Sequence, residues 1–297
     1  MKLLMFTSGS DEPRFGAFLQ EKIVDLVKVA KLANLPVAEN IHETLKRPSG
    51  KIELENIIDY IKEHWNQLSN EKNILWDENQ IEWLPLISAP EKIICVGLNY
   101  KHHILEMGRD MPITPVLFAK FASTLNANKQ PIPYIDISDS LDYEAEMAVI
   151  IGKKGKNIKK EQALEYVAGY TCFNDVTVRE YQFKTVQWMQ GKNFDGHGPI
   201  GPMLVTPDEI KDLSASKITL RLNGKIMQES FIGDLIFDIP TLIEAISKIM
   251  TLNPGDIIAT GTPSGVGFGR DPKISMQRGD KVEVEISHIG LLENIIQ

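Results

Sequence analysis

The sequence predicts an α+β, β-rich fold, and three observations predict it. After Pro90, short apolar runs alternate with turn-forming residues. Helical patterns are few there, and strands and helices do not alternate in the way a doubly wound parallel sheet requires. Before that point, the chain from Val27 to about Asn70 has helical periodicity instead. We therefore expect a β-rich domain preceded by a small α+β domain.

The first part of the chain reads as strands followed by helices. The runs KLLMF, FGAFL and KIVDL predict three strands, with turns at Ser8-Gly9-Ser10 and at Gln20-Glu21-Lys22. The stretch LPLISAP, which ends at Pro90, breaks regular structure and resembles a linker. The predicted domains are therefore residues 1–88, an N-terminal α+β domain, and residues 89–297, a β-rich domain.

The second domain is predicted to be built mainly from strands. Asn223-Gly224 is a strong signal for a two-residue hairpin turn, and Pro240 opens a helix with one apolar face. A shorter helix is expected at Lys160–Val167. The predicted strands are Lys92–Gly97, Tyr143–Ile151, Tyr166–Phe173, Ile218–Leu222, Lys225–Gln228, Asp256–Ala259 and Lys281–Ser287.

Composition excludes several classes of partner. The chain has 40 Asp and Glu against 32 Lys and Arg, a formal net charge of −8, so it shows no basic surface for nucleic acid. No stretch approaches the roughly 18 apolar residues of a membrane span. Two cysteines without metal-ligand spacing, Cys95 and Cys172, fit a reducing compartment. We expect a cytoplasmic protein with no nucleic-acid or membrane partner.

The segment DYEAEMAVIIG carries the clearest chemical signal. Residues two apart share one face of a strand, so Glu144 and Glu146 project together, opposite Tyr143 and Met147. Asp175, at the end of the next apolar run, supplies a third carboxylate. Such a set suits a hard cation such as Mg²⁺ or Mn²⁺. The alternative is the solvated face of an edge strand.

Two further clusters lie near this segment. If the chain turns helical at Asp175, Arg179 and Gln182 share its face; an exposed helix with an ordinary ion pair is the alternative. On a helical turn, His103 and Glu106 meet at i, i+3, where a carboxylate fixes the tautomer of a general base. Surface electrostatics alone would also explain that pair.

Two glycine-containing loops complete the candidate residues. The stretch TGTPSGVGFG follows a strand and lacks the ending of a phosphate loop, but the Thr262 hydroxyl and its backbone N–H groups could hold an anion. The stretch QGKNFDGHGP contains a single lysine, Lys192.

Together these pieces resemble the fumarylacetoacetate hydrolase (FAH) family over about residues 91 to 290. The blocks that carry the resemblance occur in the family's order: GLNYKHHILEMG, PVLFAK, DYEAEMAVIIG, GYTCFNDVTVREYQ, QGKNFDGHGPIGP, LNGKIMQES and LNPGDIIATGTPSGVG. The length and the N-terminal segment look most like the bacterial branch of oxaloacetate decarboxylases and acylpyruvases.

The resemblance implies a structure and a set of roles. The catalytic domain would have the FAH-type β-roll or sandwich, usually in a homodimer. Mg²⁺ or Mn²⁺ would be held by Glu144, Glu146 and Asp175. The dyad of His103 and Glu106, on a lid over the substrate, would act as acid and base. The other implied residues are Lys192, a catalytic residue that faces the substrate, and the substrate-binding residues Arg179, Gln182, Thr262 and Lys120.

Two positions depart from the family's pattern. Phe121 follows Lys120 where proline is common, which puts the placement of Lys120 in question. Asn193 follows Lys192 where serine is common, a change that could alter substrate choice.

The function predicted from these residues is divalent-metal-dependent cleavage of a C–C bond in a small anionic β-keto acid. Decarboxylation of oxaloacetate and hydrolysis of acylpyruvates share the step in which electrons flow onto the keto oxygen. Tautomerisation would use the dyad for proton transfer alone. An isomerase of unsaturated dicarboxylic keto acids is the nearest alternative. A metabolite-binding or scaffolding protein without turnover is the alternative of another class.

Overall fold

The computed structural model describes residues 1–9 and 12–297, so Ser10 of the predicted first turn lies outside the described residues. The N-terminal segment contains strands and helices, as predicted. Its elements are β1 (Lys2–Thr7), β2 (Arg14–Leu19), β3 (Lys22–Asp25), α1 (Leu26–Ala33), α2 (Ile41–Lys46), α3 (Gly50–Glu63), α4 (Trp65–Leu68), β4 (Leu75–Trp76) and β5 (Glu82–Leu84).

The remaining chain is dominated by strands. Its elements are β6 (Ile93–Gly97), α5 (Lys101–Glu106), β7 (Val116–Lys120), β8 (Leu125–Asn126), β9 (Leu141–Asp142), β10 (Ala145–Ile151), β11 (Val167–Asn174), β12 (Thr177–Val178), α6 (Arg179–Gln182), α7 (Met189–Lys192), β13 (Gly198–Val205), β14 (Lys217–Leu222), β15 (Lys225–Phe231), α8 (Ile239–Ile249), β16 (Ile257–Ala259), β17 (Lys281–Ile286) and β18 (Gly290–Ile295). The predicted short helix at Lys160–Val167 is a 3₁₀ helix at Lys160–Tyr166.

A large mixed sheet organises these elements. Its strands follow the order β4-β3-β2-β1-β13-β11-β10-β16-β6-β7, with β5 paired to β1 and β8 paired to β13. The strands β15-β14-β17-β18 form a second sheet, and β9 pairs with β12. Because Lys2 of β1 pairs with Val205 of β13, the N-terminal strands extend the same sheet. The division at residues 88 and 89 stays a prediction.

The central strand β10 separates two cores. It is buried along its whole length, and its alternate residues face opposite sides. Met147 and Val149 pack into a core that includes α8 and the second sheet. Ala148 and Ile150 pack into a core that includes α1 and α3. Glu146 has the parity of Ala148, so the N-terminal helices cover the same face that carries this carboxylate.

Local sequence signals explain several element boundaries. Asn223 and Gly224 have positive φ values of 52° and 78°, which a type I′ hairpin turn requires, and they join β14 to β15. The Asp238 side chain caps α8 by accepting from the Thr241 N–H, and Pro240 occupies the first turn. The predicted α+β, β-rich class is confirmed. No helix among the residues described has the length and apolar character needed to cross a bilayer.

Candidate active site

Three buried carboxylates meet where β10 begins and β11 ends. These strands are antiparallel, with Ala145 opposite Asn174, so Glu144 and Glu146 lie beside Asp175. One oxygen of each carboxylate lies within 4.8 Å of the others. The backbone N–H of Asp175 also donates to the carbonyl of Glu144 at 2.9 Å, which ties the two chain segments together. The predicted metal residues therefore converge on one point.

Cations compensate two of these carboxylates. The Lys192 ammonium contacts Glu144 Oε2 at 2.8 Å and Asp175 Oδ2 at 2.7 Å. Arg179 Nη1 contacts Glu144 Oε1 at 2.7 Å. Burial by itself raises the pKa of Glu144, but Lys192 and Arg179 bring it down to about 2. Burial lowers the pKa of Lys192, but Asp175 and Glu144 outweigh it and raise that pKa. These four side chains form one buried network of ion pairs.

Glu146, unlike Glu144 and Asp175, has no compensating cation among the described residues. Its surroundings therefore test whether a metal ion fits the site. Its side chain is only 1% exposed, yet within residues 1–9 and 12–297 no cationic side chain forms an ion pair with it. Its Oε2 accepts from the Gly261 N–H at 2.9 Å. Burial, with Asp175 and Glu144 nearby, raises the pKa of Glu146 well above its usual range. A buried carboxylate that lacks a cation, in an all-oxygen set, fits a hard divalent cation.

A fourth buried carboxylate, Asp142, joins the cluster. It accepts from Arg179 Nε at 2.8 Å and from the N–H groups of Gly267 and Phe268 at 2.8 and 3.0 Å. Asp142 thereby fixes the guanidinium whose Nη1 reaches Glu144. The sequence pattern did not single out Asp142, which lies in the short strand β9, two residues before Glu144.

The candidate acid–base pair comes from α5. His103 Nδ1 lies 3.2 Å from Glu106 Oε2, as the i, i+3 spacing predicts. Both carboxylate oxygens of Glu106 also accept from the Gly265 N–H, at 2.9 and 3.1 Å. This second contact fixes the carboxylate independently of the histidine. With Nδ1 directed at Glu106, His103 presents Nε2 as the free ring nitrogen.

One cavity unites most of the predicted residues. Its wall includes His103, Glu144, Glu146, Arg179, Gln182, Lys192 and Thr262. Sequence analysis did not name the remaining wall residues, which are Val96, Gly97, Leu98, Met107, Arg109, Phe118, Phe183 and Trp188. All of them except Arg109 are uncharged, so no sequence pattern indicates that they belong to a site. They come together only in the folded chain.

The residues predicted to bind substrate lie in different settings. Arg179 and Gln182 are on α6 and bond each other, Nη1 to Oε1 at 2.9 Å. The helix begins at Arg179 and not at Asp175, because Thr177–Val178 first pairs with β9 as a strand. Arg179 Nη2 is buried and has no hydrogen-bond partner in the described part of the chain, so it remains free to donate. The Thr262 hydroxyl accepts from Gln228 Nε2 at 2.8 Å.

Lys120 lies behind the cavity wall and is 2% exposed. Its Nζ contacts Asp175 Oδ1 at 2.9 Å and donates to the backbone carbonyl of Lys192. The ammonium therefore faces a predicted metal ligand and a predicted catalytic residue, and not the space where a substrate would lie. These contacts hold Asp175 and Lys192 in place, and a role for Lys120 in binding substrate stays a prediction.

Comparisons with known proteins agree on the family. The family described as "Fumarylacetoacetate (FAA) hydrolase C-terminal" matches residues 92–297. An oxaloacetate tautomerase of Xenopus laevis is 40% identical over 299 residues, which cover 99% of this chain and 89% of the relative. An oxaloacetate tautomerase of Bacillus subtilis is 43% identical over 215 residues, 71% of each protein.

Solved structures support the same assignment. A fumarylacetoacetate hydrolase of Exiguobacterium antarcticum superposes with a TM-score of 0.81 at 32% identity, covering 100% of this chain and 99% of that one. A maleylpyruvate hydrolase of Sphingobium, in complex with manganese(II) and pyruvate, has a TM-score of 0.76 at 27% identity, with 100% and 98% covered.

The fold and the site thus define an enzyme with a buried carboxylate cluster on a β-rich scaffold. The chain belongs to the fumarylacetoacetate hydrolase family, as its sequence blocks predicted.

Proposed function

We propose that the protein is a divalent-metal-dependent enzyme that breaks a bond to C3 of oxaloacetate or a similarly small β-keto acid. One observation carries this proposal: a single cavity wall holds the metal-type carboxylates Glu144 and Glu146 together with His103. The relatives named oxaloacetate tautomerases support the choice of substrate.

The metal proposed is Mg²⁺ or Mn²⁺, held by Glu144, Glu146 and Asp175. Their all-oxygen donor set favours these hard cations, and a structural neighbour contains manganese(II). When bound, such a cation supplies Lewis-acid polarisation of the substrate's carboxylate and keto oxygens.

Charge balance favours an anionic substrate. The four buried carboxylates, Asp142 and the three metal residues, face three buried cations, Lys120, Arg179 and Lys192, so 3 − 4 leaves −1. A dication makes the cluster +1, and a dicarboxylate is then attracted. Arg179 Nη2, which has no hydrogen-bond partner among the described residues, would donate to a carboxylate of that substrate.

His103 would move the proton at C3. Glu106 accepts from Nδ1, so Nε2 is the base that removes a proton and returns it. Keto–enol tautomerisation needs this transfer alone, and it is the reaction that the dyad supports most directly.

Cleavage of a C–C bond is the second candidate, and it uses the same residues. In decarboxylation CO₂ leaves from C3, and His103 then protonates that carbon. In hydrolysis of an acylpyruvate, His103 activates a water that attacks the distal carbonyl. The hydrolases among the structural neighbours favour keeping this candidate.

The test follows oxaloacetate added as its enol, with Mg²⁺ or Mn²⁺. Ultraviolet absorbance reports decay of the enol, and a coupled assay reports pyruvate. We expect faster enol decay with wild-type protein, lost on chelation and restored by metal. Faster decay without pyruvate identifies a tautomerase, whereas stoichiometric pyruvate identifies a decarboxylase.

Two results would favour the alternatives. Absorbance changes on unsaturated dicarboxylic keto acids, with none on oxaloacetate, would identify the isomerase. Tight binding of metal and oxalate with no turnover of any keto acid would identify a binding protein. The homodimer that the resemblance implies stays a prediction, which light scattering would check.

A further inference from the structure

The side chain of Asn193 joins two segments that end in site lysines. Its Oδ1 accepts from the Phe121 N–H at 2.7 Å. Its Nδ2 donates to the carbonyls of Ala119 and Met189, both at 3.1 Å. Ala119 and Phe121 flank the end of β7, and Met189 begins α7. Both ends of one amide group are therefore used to connect β7 with α7.

Each connected segment delivers a lysine to Asp175. β7 ends with Lys120, which contacts Asp175 Oδ1 at 2.9 Å, and α7 ends with Lys192, which contacts Oδ2 at 2.7 Å. Lys120 Nζ also donates to the Lys192 carbonyl. Asn193 follows Lys192 directly, at the point where the chain leaves the helix. A shift of this junction would move the Lys192 ammonium.

The short helix α7 needs such an external contact. It has four residues, too few for its own hydrogen bonds to hold it. On its inner side Gly191 packs so closely on α6 that an added Cβ would lie 2.4 Å from the Gln182 nitrogen. Asn193 holds the outer side, where these hydrogen bonds are solvent-exposed.

We propose that Asn193, with the Phe121 N–H as its partner, is a positioning residue that places Lys192 for the reaction. The inference rests on the proposed function, in which Lys192 is one of the buried cations of the site. It also connects the two departures noted in the sequence: proline at position 121 would have no N–H to donate to Asn193. Phe121→Pro itself is a poor probe, because φ at Phe121 is −97° and a proline Cδ would clash with Asn193 Oδ1, which lies 2.7 Å from the Phe121 nitrogen.

The main test is a double-mutant cycle between Asn193→Ala and Lys192→Ala. Because a misplacement of about 1 Å can cost about 100-fold, we expect Asn193→Ala to lower kcat about tenfold, with a smaller change in KM. In the Lys192→Ala background it should have no further effect, since the group it places is gone. Asn70→Ala is the control, because Asn70 also bonds a backbone carbonyl from an exposed amide, at 2.8 Å, and should change nothing.

A second cycle covers the case in which Lys192→Ala does not fold. Lys192→Met keeps most of the length of the side chain and removes the ammonium, and in this background Asn193→Ala should have no further effect on kcat. Equal losses in both backgrounds, in either cycle, would overturn the positioning role and leave Asn193 as a general stabiliser.

Failure of the proposed function is distinguishable from failure of this inference. If the proposed function is wrong, the wild-type protein itself turns over no keto acid. The same cycles are then read by denaturant unfolding of the metal-free protein, where Lys192 still pairs with Glu144 and Asp175. Non-additive unfolding free energies would support the coupling between Asn193 and Lys192, and additive ones would overturn it.

Discussion

The two sides of the cavity are held in place by different means. The carboxylates and their cations lie on or beside the central strands β10 and β11, and Glu146 and Asp175 are at most 1% exposed. The dyad lies on the six-residue helix α5, where Leu105 is 62% exposed and Ile113, just beyond, is 94% exposed. We call these carboxylates and cations the charged side. Changes there should affect the stability of the sheet, whereas changes to the dyad should affect the reaction alone.

The largest expected effect comes from the dyad. We expect His103→Ala to lower turnover of oxaloacetate by about 10² to 10⁴, the usual contribution of a positioned acid or base. Metal affinity and the unfolding midpoint should stay unchanged, because His103 lies on α5 and not on the sheet. His102→Ala is the matched control, since His102 is the exposed neighbour on the same helix. A comparable loss in His102→Ala would show that α5 itself had been disturbed.

On the charged side, substitutions should change metal affinity and, where a cation is left unpaired, the stability of the fold. Asp175 and Glu146 can be compared. Asp175→Asn leaves the ammonium groups of Lys120 and Lys192 with less compensating charge, so the metal-free protein should lose about 3–5 kcal/mol of unfolding free energy. Glu146→Gln removes a carboxylate that has no cation partner among the described residues, and it keeps an acceptor for the Gly261 N–H. Its metal-free stability should therefore not fall.

Both variants should bind metal weakly. The loss should exceed the roughly 100-fold that removal of an outer-shell partner typically costs. Calorimetric titration with Mn²⁺ and denaturant unfolding check the two quantities separately. A clear loss of metal-free stability in Glu146→Gln would contradict the view that this carboxylate is uncompensated in the absence of a metal ion.

The sequence predicted the parts of this site that local periodicity determines. The spacing of two residues predicted that Glu144 and Glu146 lie together, although β10 begins only at Ala145 and Glu144 stands just before it. His103 meets Glu106 because residues three apart meet on a helix. Asp142 lies in the separate strand β9 and was not predicted. Most strands of the β-rich segment were predicted from apolar runs bounded by turns.

Long-range contacts left no comparable signal. Nothing near Lys120 shows that its ammonium is covered by Asp175 and the Lys192 carbonyl, since those partners come from distant parts of the chain. The start of α6 at Arg179 depends on the pairing of Thr177–Val178 with β9. Likewise, the pairing of β1 with β13 joins Lys2 to Val205, and no local pattern predicts which strands become neighbours.

The pH dependence of stability offers a test within the sheet region. His197 directly precedes β13, is fully buried, and shares a hydrogen bond between Nε2 and the Pro133 carbonyl at 2.8 Å. Burial, with a smaller effect of Lys120, lowers the pKa of His197 from 6.5 to about 4. Between pH 4 and 6.5 the unfolded chain therefore binds more protons than the folded one, and stability falls as the pH falls.

This group alone should remove about 3 kcal/mol of unfolding free energy between pH 6.5 and 4. Denaturant unfolding of wild type and His197→Gln across that range measures it. Between pH 6.5 and 4, the unfolding free energy of the variant should fall by about 3 kcal/mol less than that of wild type. Below pH 4 the two pH profiles should have nearly the same slope. Parallel profiles would show that other groups dominate the acid response. Activity measured at neutral pH should report on the dyad and not on His197.

The smallest expected effect concerns how the dyad is docked. A Cβ added at Gly269 would lie 2.6 Å from Glu106 Cδ, the far end of a flexible side chain, so the glutamate and not the backbone must give way. In Gly269→Ala the carboxylate should move from both His103 and the Gly265 N–H, lowering kcat about tenfold while metal affinity stays unchanged. Kinetics alongside Mn²⁺ titration check this. A variant that loses metal affinity together with activity would show that the dyad and the charged side do not act independently.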